Sequence, residues 1–137
     1  MNNQVFYKDN VELRKLAQKC INKYEKLEMV KFYEKDVKIG FQWSEEEKVK
    51  NGKVIFGDCE KVKNKLKEFT DYDFIITFYA SAHNMSDKAQ ELLMYHELRH
   101  IGISVDECGD MKFSIIPHEI EDFLDIVEEN GLNWCEK

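Results

Sequence analysis

Between Asn10 and Leu27 the apolar residues Val11, Leu13, Leu16, Ala17, Cys20, Ile21, Tyr24 and Leu27 recur at spacings of three and four. That is the period of a helix with one face buried, and it predicts a helix over this stretch. The period then changes to two. Val37–Trp43 (VKIGFQW) alternates as a half-buried strand does, and Lys53–Phe56 (KVIF) follows the turn dipeptide Asn51-Gly52, so the two runs are expected to pair as a hairpin with a wide loop. Val62–Phe69 reads as a short helix, and the β-branched and aromatic run Phe74–Tyr79 (FIITFY) as a buried strand. Asn84 or Ser86 can cap a helix reaching about Ile101. Met111–Ile116 (MKFSII) is a further strand, and Pro117 opens a last helix that ends near Gly131.

Helix, strands, helix, strand and helix in that order predict an α+β fold in which helices pack on one face of a small, mostly antiparallel sheet. At 137 residues, with one proline and six scattered glycines, nothing marks a linker or an internal repeat, so residues 1–137 read as a single domain.

Charge divides the chain. Residues 1–69 carry 16 basic against 12 acidic side chains, whereas residues 70–137 carry 4 against 15, within a net charge of −7. The acidic half argues against a general affinity for nucleic acid. The lysine-rich run Lys61–Lys67 (KVKNKLK) could touch an acidic partner, but a solvated helix face explains it as well. Cys20, Cys59, Cys108 and Cys135 form no CxxC pair and read as free thiols of a reducing compartment. The opening residues MNNQVFYKDN lack the apolar core of a signal peptide, and no apolar run is long enough for a membrane span; both point to the cytoplasm.

The chemistry concentrates in Met94–Gly102 (MYHELRHIG). On a helix, His96 and His100 at i and i+4 lie one above the other and can offer nitrogens to one ion. Glu97, about 100° around from His96, can reach a water on that ion without displacing it, which is the HExxH arrangement of two ligands and a base. Zn2+ would bring the pKa of such water toward neutrality, and Glu97 would take its proton as it attacks a carbonyl. Two histidines that merely continue the core-facing stripe of Ala89, Leu92 and Leu93 are the plain alternative, and the intervening glutamate weighs against it.

An open catalytic zinc needs a third protein ligand. His118, in IIPHEIEDF just after the last strand, is the first choice, with Glu119 and Asp122 as rivals; Asp122 could instead orient an imidazole from behind. The plain alternative makes His118 and Glu119 ordinary first-turn residues, favourably placed in the dipole or cap region of the last helix. Asp106 lies six residues after His100, where a metzincin has its third ligand, but the glycine those enzymes require is displaced to Gly102 with Ile103 in its place. His83 could line the cleft as an oxyanion donor, Tyr79 and Tyr95 could donate protons, and Arg99 is expected to face away toward a carboxylate.

FIITFYASAHNMSDKAQELLMYHELRHIGI, followed by SIIPHEIEDF and GLNW, resembles the phage metallopeptidase family, small zincin-like proteins of phages and prophages. The similarity covers roughly Phe74–Trp134, and HELRHI and PHEIEDF carry its specificity. It implies a zincin-like fold with HExxH on a central helix, a zinc-dependent hydrolase of peptide bonds, His96, Glu97 and His100 in their motif roles, and His118 as the matching downstream histidine. Peptide or protein substrates follow from that reading. Two alternatives stand beside it: a zinc-containing regulatory protein without turnover, and a small DNA-associated protein using the lysine-rich half.

Overall fold

The computed structural model describes residues 9–117 apart from 64, 65, 67 and 68. The first helix, α1 (Val11–Lys23), starts where Asn10 accepts a hydrogen bond from the Leu13 amide at 2.9 Å. It buries Leu13, Ala17, Cys20 and Ile21, as the spacing predicts. The helix stops four residues before the apolar stripe does, because Tyr24 turns extended, with φ −102° and ψ 121°. There its ring stacks on Tyr95 at 3.9 Å and its hydroxyl donates to Glu91 at 2.7 Å. The stripe resumes in a 3-10 turn (Glu25–Leu27) and the short α2 (Glu28–Phe32), which bury Leu27 and Val30.

The expected strand at Val37–Trp43 is β1 (Ile39–Trp43), but it does not pair with KVIF. Asn51 and Gly52, at φ 54° and 77°, make a two-residue turn that joins β2 (Lys48–Lys50) directly to β3 (Lys53–Ile55). Both central residues of such a turn take positive φ, which matches the right-handed twist of the flanking strands. The chain goes on into β4 (Gly57–Lys61), antiparallel to the central β5 (Phe74–Phe78), while β1 lies parallel on the other side of β5. The order β1-β5-β4 is thus a small mixed sheet. Phe74, Ile76 and Phe78 on β5 are fully buried, which is what its β-branched and aromatic run requires. Of the helix expected at Val62–Phe69, residues 64, 65, 67 and 68 lie outside the described residues, as does the final helix expected beyond Pro117.

A 3-10 turn (Ala80–Asn84) leads to α3 (Asp87–Leu98), and of the two candidate caps it is Ser86 that accepts from the Ala89 amide, at 3.1 Å. α3 ends at Leu98, three residues short of the expected Ile101. Arg99 still bonds back to Tyr95, but the His100 amide donates to Glu97, three residues back, a tightening of the last turn, and Ile101 already opens β6 (Ile101–Val105). β6 pairs antiparallel with β7 (Met111–Ile115), the strand expected at MKFSII. Pairing with β7 takes over the backbone groups that further helix would have used. Among the described residues the architecture is α+β, with three α-helices against small, mostly antiparallel sheets, and no helix is long and apolar enough to cross a membrane.

From Glu91 to Leu98 every residue of α3 is buried. A helix covered all round has to satisfy its polar side chains internally. On the α1 side, Glu91 is 5% exposed and receives Lys23 at 2.7 Å, Tyr24 at 2.7 Å, Lys19 at 3.0 Å and Lys88 at 3.6 Å. Burial alone would raise its pKa; the hydrogen bonds from Lys23, Tyr24 and Lys19 outweigh that and hold the carboxyl at about 2. Because the folded pKa is depressed, this stabilisation is present above the unfolded value of about 4.3 and is lost as pH falls toward 2. The lysines are half-exposed, so solvent screening reduces what they contribute. Glu91→Gln is therefore expected to cost about 1–3 kcal/mol at pH 7. Chemical denaturation of both forms should show that difference shrinking between about pH 4.5 and pH 2; a difference independent of pH would sink the carboxylate account.

Candidate metal centre

The end of α3 and the β6–β7 hairpin build the site together. His96 and Glu97 lie in the last helical turns, 7% and 3% exposed, while His100 stands on the turn that follows. One donor atom from each of His96, Glu97 and His100 can be chosen so that all lie within 4.8 Å of one another, and the two imidazole rings meet edge to face at 5.1 Å. The spacing of the motif thus brings its three side chains together although His100 has left the helix.

Ile116 fixes His100 twice. Its amide donates to the His100 carbonyl at 2.7 Å, and its own carbonyl lies 2.6 Å from His100 Nδ1. A carbonyl can only accept, so Nδ1 carries a proton, and in the neutral ring Nε2 then keeps its lone pair. Nε2 is 4.0 Å from Glu97 Oε1. Backbone support behind a ring nitrogen is how metal-binding histidines are commonly oriented. Gly102 allows the close strand contact this needs, because a Cβ there would run into the Ser114 hydroxyl. The glycine that departs from the metzincin pattern is the one that the hairpin uses.

These side chains open onto a cleft of about 260 Å³, lined also by Lys48, Lys50 and Ile55 from the β2–β3 hairpin, by Gly57, Asp58 and Cys59 of β4, and by Ile115 of β7. A Cβ on Gly57 would lie 3.1 Å from the Thr77 carbonyl and 3.5 Å from Glu97 Oε2, so the glycine lets β4 approach the glutamate. Asp58 accepts from the Tyr79 hydroxyl at 2.6 Å and from Lys48 at 2.9 Å. Burial and the bond to Asp58 push the Tyr79 hydroxyl up to about 12. Burial, and next the charge of Glu97, push the Cys59 thiol well above its ordinary range. Together with Cys20 and Cys108 it is a free thiol, as the cysteine spacing predicts; Cys135 lies outside the described residues.

Several sequence candidates stand elsewhere. His83 is exposed and stacks on Trp43 at 3.9 Å, so it does not line the cleft. Tyr95 is buried against Tyr24 on the α1 side of α3. Arg99 faces away from the cleft, as expected, with its guanidinium 5.5 Å over the Tyr95 ring. Asp106 closes the β6–β7 turn by accepting from the amides of Cys108 and Asp110, both at 2.9 Å, and is not part of the histidine cluster. His118, Glu119 and Asp122 lie outside the described residues. Sequence reasoning missed the β4 wall. Its one local signal was Gly57, a glycine inside what proves to be a strand, where close backbone approach is the usual reason.

The donor set fits a divalent metal: two imidazoles, at least one with its tautomer fixed, beside a buried carboxylate. No curated protein and no solved structure matches the chain. The family described as "Putative phage metallopeptidase" matches it over residues 5–137, nearly its whole length, and the chain belongs to that family.

Proposed function

We propose that the protein is a zinc-dependent peptidase with a zincin-like arrangement of its site, in which His96, His100 and His118 hold the metal and Glu97 is the general base. The observation that carries this reading is the convergence of His96, Glu97 and His100 on one point of a cleft, with the His100 tautomer fixed by Ile116. Family membership supports a metallopeptidase acting on peptides or proteins.

Zinc there would supply Lewis acidity, polarising the scissile carbonyl and making an attacking water more acidic. Glu97 accepts the proton of that water as its oxygen bonds to the carbonyl carbon. The same carboxyl then gives the proton to the departing amine as the C–N bond breaks. His100 is held by Ile116 so that Nε2, rather than Nδ1, is its available donor. The close approach of β4 at Gly57 covers Glu97 and keeps bulk solvent from it.

His118 is supported by reach. The Ile116 carbonyl touches the His100 ring at 2.6 Å, and two residues of chain extend at most about 7 Å beyond. Glu119 and Asp122 lie farther along the same segment.

Three outcomes follow. Reconstituted protein should hold one zinc per chain by elemental analysis, and His96→Ala or His100→Ala should lose it; zinc retained in both variants would remove the site. His118→Ala should weaken zinc binding in chelator competition far more than Glu119→Ala or Asp122→Ala, and the opposite order would reassign the third ligand. Glu97→Gln should keep its zinc and its fold but hydrolyse peptide libraries at least about a hundredfold more slowly, as read by mass spectrometry. Equal rates would refute the base. No cleavage by the zinc-loaded parent across broad libraries would instead favour a regulatory protein without turnover.

A further inference from the structure

The β2–β3 hairpin forms one wall of the cleft, and its register decides which side chains face inward. Lys48 pairs with Ile55, Val49 with Val54, and Lys50 with Lys53. Directly opposed residues of an antiparallel pair share a face and successive residues alternate. Lys48, Lys50 and Ile55 all line the cleft, so Lys53, opposite Lys50, belongs to that same face. Val49 and Val54 turn the other way and are 60% and 46% exposed.

The two lysines lining this wall are not equivalent. Lys48 is held by Asp58 at 2.9 Å, and the Tyr79 hydroxyl donates to the same carboxylate oxygen at 2.6 Å. Lys50 is exposed and makes no ion pair among the described residues. Lys53 stands directly opposite it in the strand register, so this face of the hairpin carries a second basic residue. Deeper in the cleft the sign reverses, with Asp58 and Glu97. A polyanion filling the cleft would meet those carboxylates. An extended peptide with one acidic side chain at the mouth would not, and Ile55 and Ile115 offer apolar wall to the rest of it.

We propose that Lys50 is a specificity-determining residue, selecting peptides that carry an aspartate or glutamate side chain to one side of the bond presented to Glu97. The proposal rests on the peptidase reading for its substrate class, and binding can be measured apart from cleavage. The probe is a pair of fluorescein-labelled peptide pools, identical except that Asp and Glu in one are Asn and Gln in the other. Anisotropy is read on zinc-loaded Glu97→Gln protein, which holds peptide without consuming it. The acidic pool should bind about fivefold more tightly, the scale of one partly exposed ion pair. That advantage should fade between about 50 mM and about 500 mM salt.

Lys50→Met should abolish the preference, and Lys50→Glu should turn it against the acidic pool. Lys35→Glu, the same charge change at an exposed site outside the cleft, should leave it intact. Circular dichroism verifies that each variant is folded. Equal binding of the two pools, no binding of either, or an equal effect of Lys35→Glu would overturn the assignment. Cleavage of the same pools by the active protein judges the peptidase reading separately: a binding preference without cleavage would defeat that reading while upholding Lys50.

Discussion

Complete burial of the second half of α3 is the constraint on which the rest of the structure depends. Eight consecutive residues from Glu91 to Leu98 are withdrawn from water, and three of them, Glu91, His96 and Glu97, are carboxylates or imidazoles. A carboxylate or imidazole in that position needs partners of its own. Glu91 finds them in two lysines of α1 and in Tyr24 just beyond it, joined by Lys88 on its own helix. That anchorage lies on one side of the helix, and His96 and Glu97 open onto the cleft on another. A single helix thus separates a stabilising polar cluster from a chemical one.

The chemical cluster depends equally on where the helix ends. Had α3 continued to Ile101, the His100 carbonyl and ring would have had no strand beside them. Ending at Leu98 lets β6 pair with β7, and the pairing carries Ile116 to both the backbone and the imidazole of His100. Precision in the site comes from a sheet contact rather than from helical spacing alone. Gly102 and Gly57 have one physical role on the two sides of the cleft, since each is a place where a Cβ would press on a neighbouring strand or side chain.

Charge is layered across the cleft. Acidic groups lie deep, at Asp58 and Glu97, while the β2–β3 hairpin holds lysines at the rim. Both halves of the chain contribute to this layering, Asp58 and the lysines from the first and Glu97 from the second.

Much of this was legible in the residues. The three- and four-residue spacing gave α1 its buried face, FIITFY gave the central strand, and Ser86 gave a helix start, because each signal is local and is read within one or two turns of chain. The juxtaposition of His96, Glu97 and His100 was legible for the same reason, being five residues of one segment. Pairing was not. Nothing in VKIGFQW says that it will lie parallel to a strand some thirty residues on rather than against KVIF, since a strand's alternation reports which face is buried and not which neighbour covers it. The end of α3 was hidden too, because Ile101 continues the helical stripe as readily as it opens β6, and only pairing with Ile115 favours the strand. His83 and Asp106 looked like site residues by sequence distance, but Trp43 and the amides of a tight turn claimed them. Spacing by itself determined that two imidazoles and a carboxylate would come together. Tertiary packing decided which strands wall the cleft and which ring nitrogen of His100 meets the Ile116 carbonyl, because both depend on contacts between residues far apart in the chain.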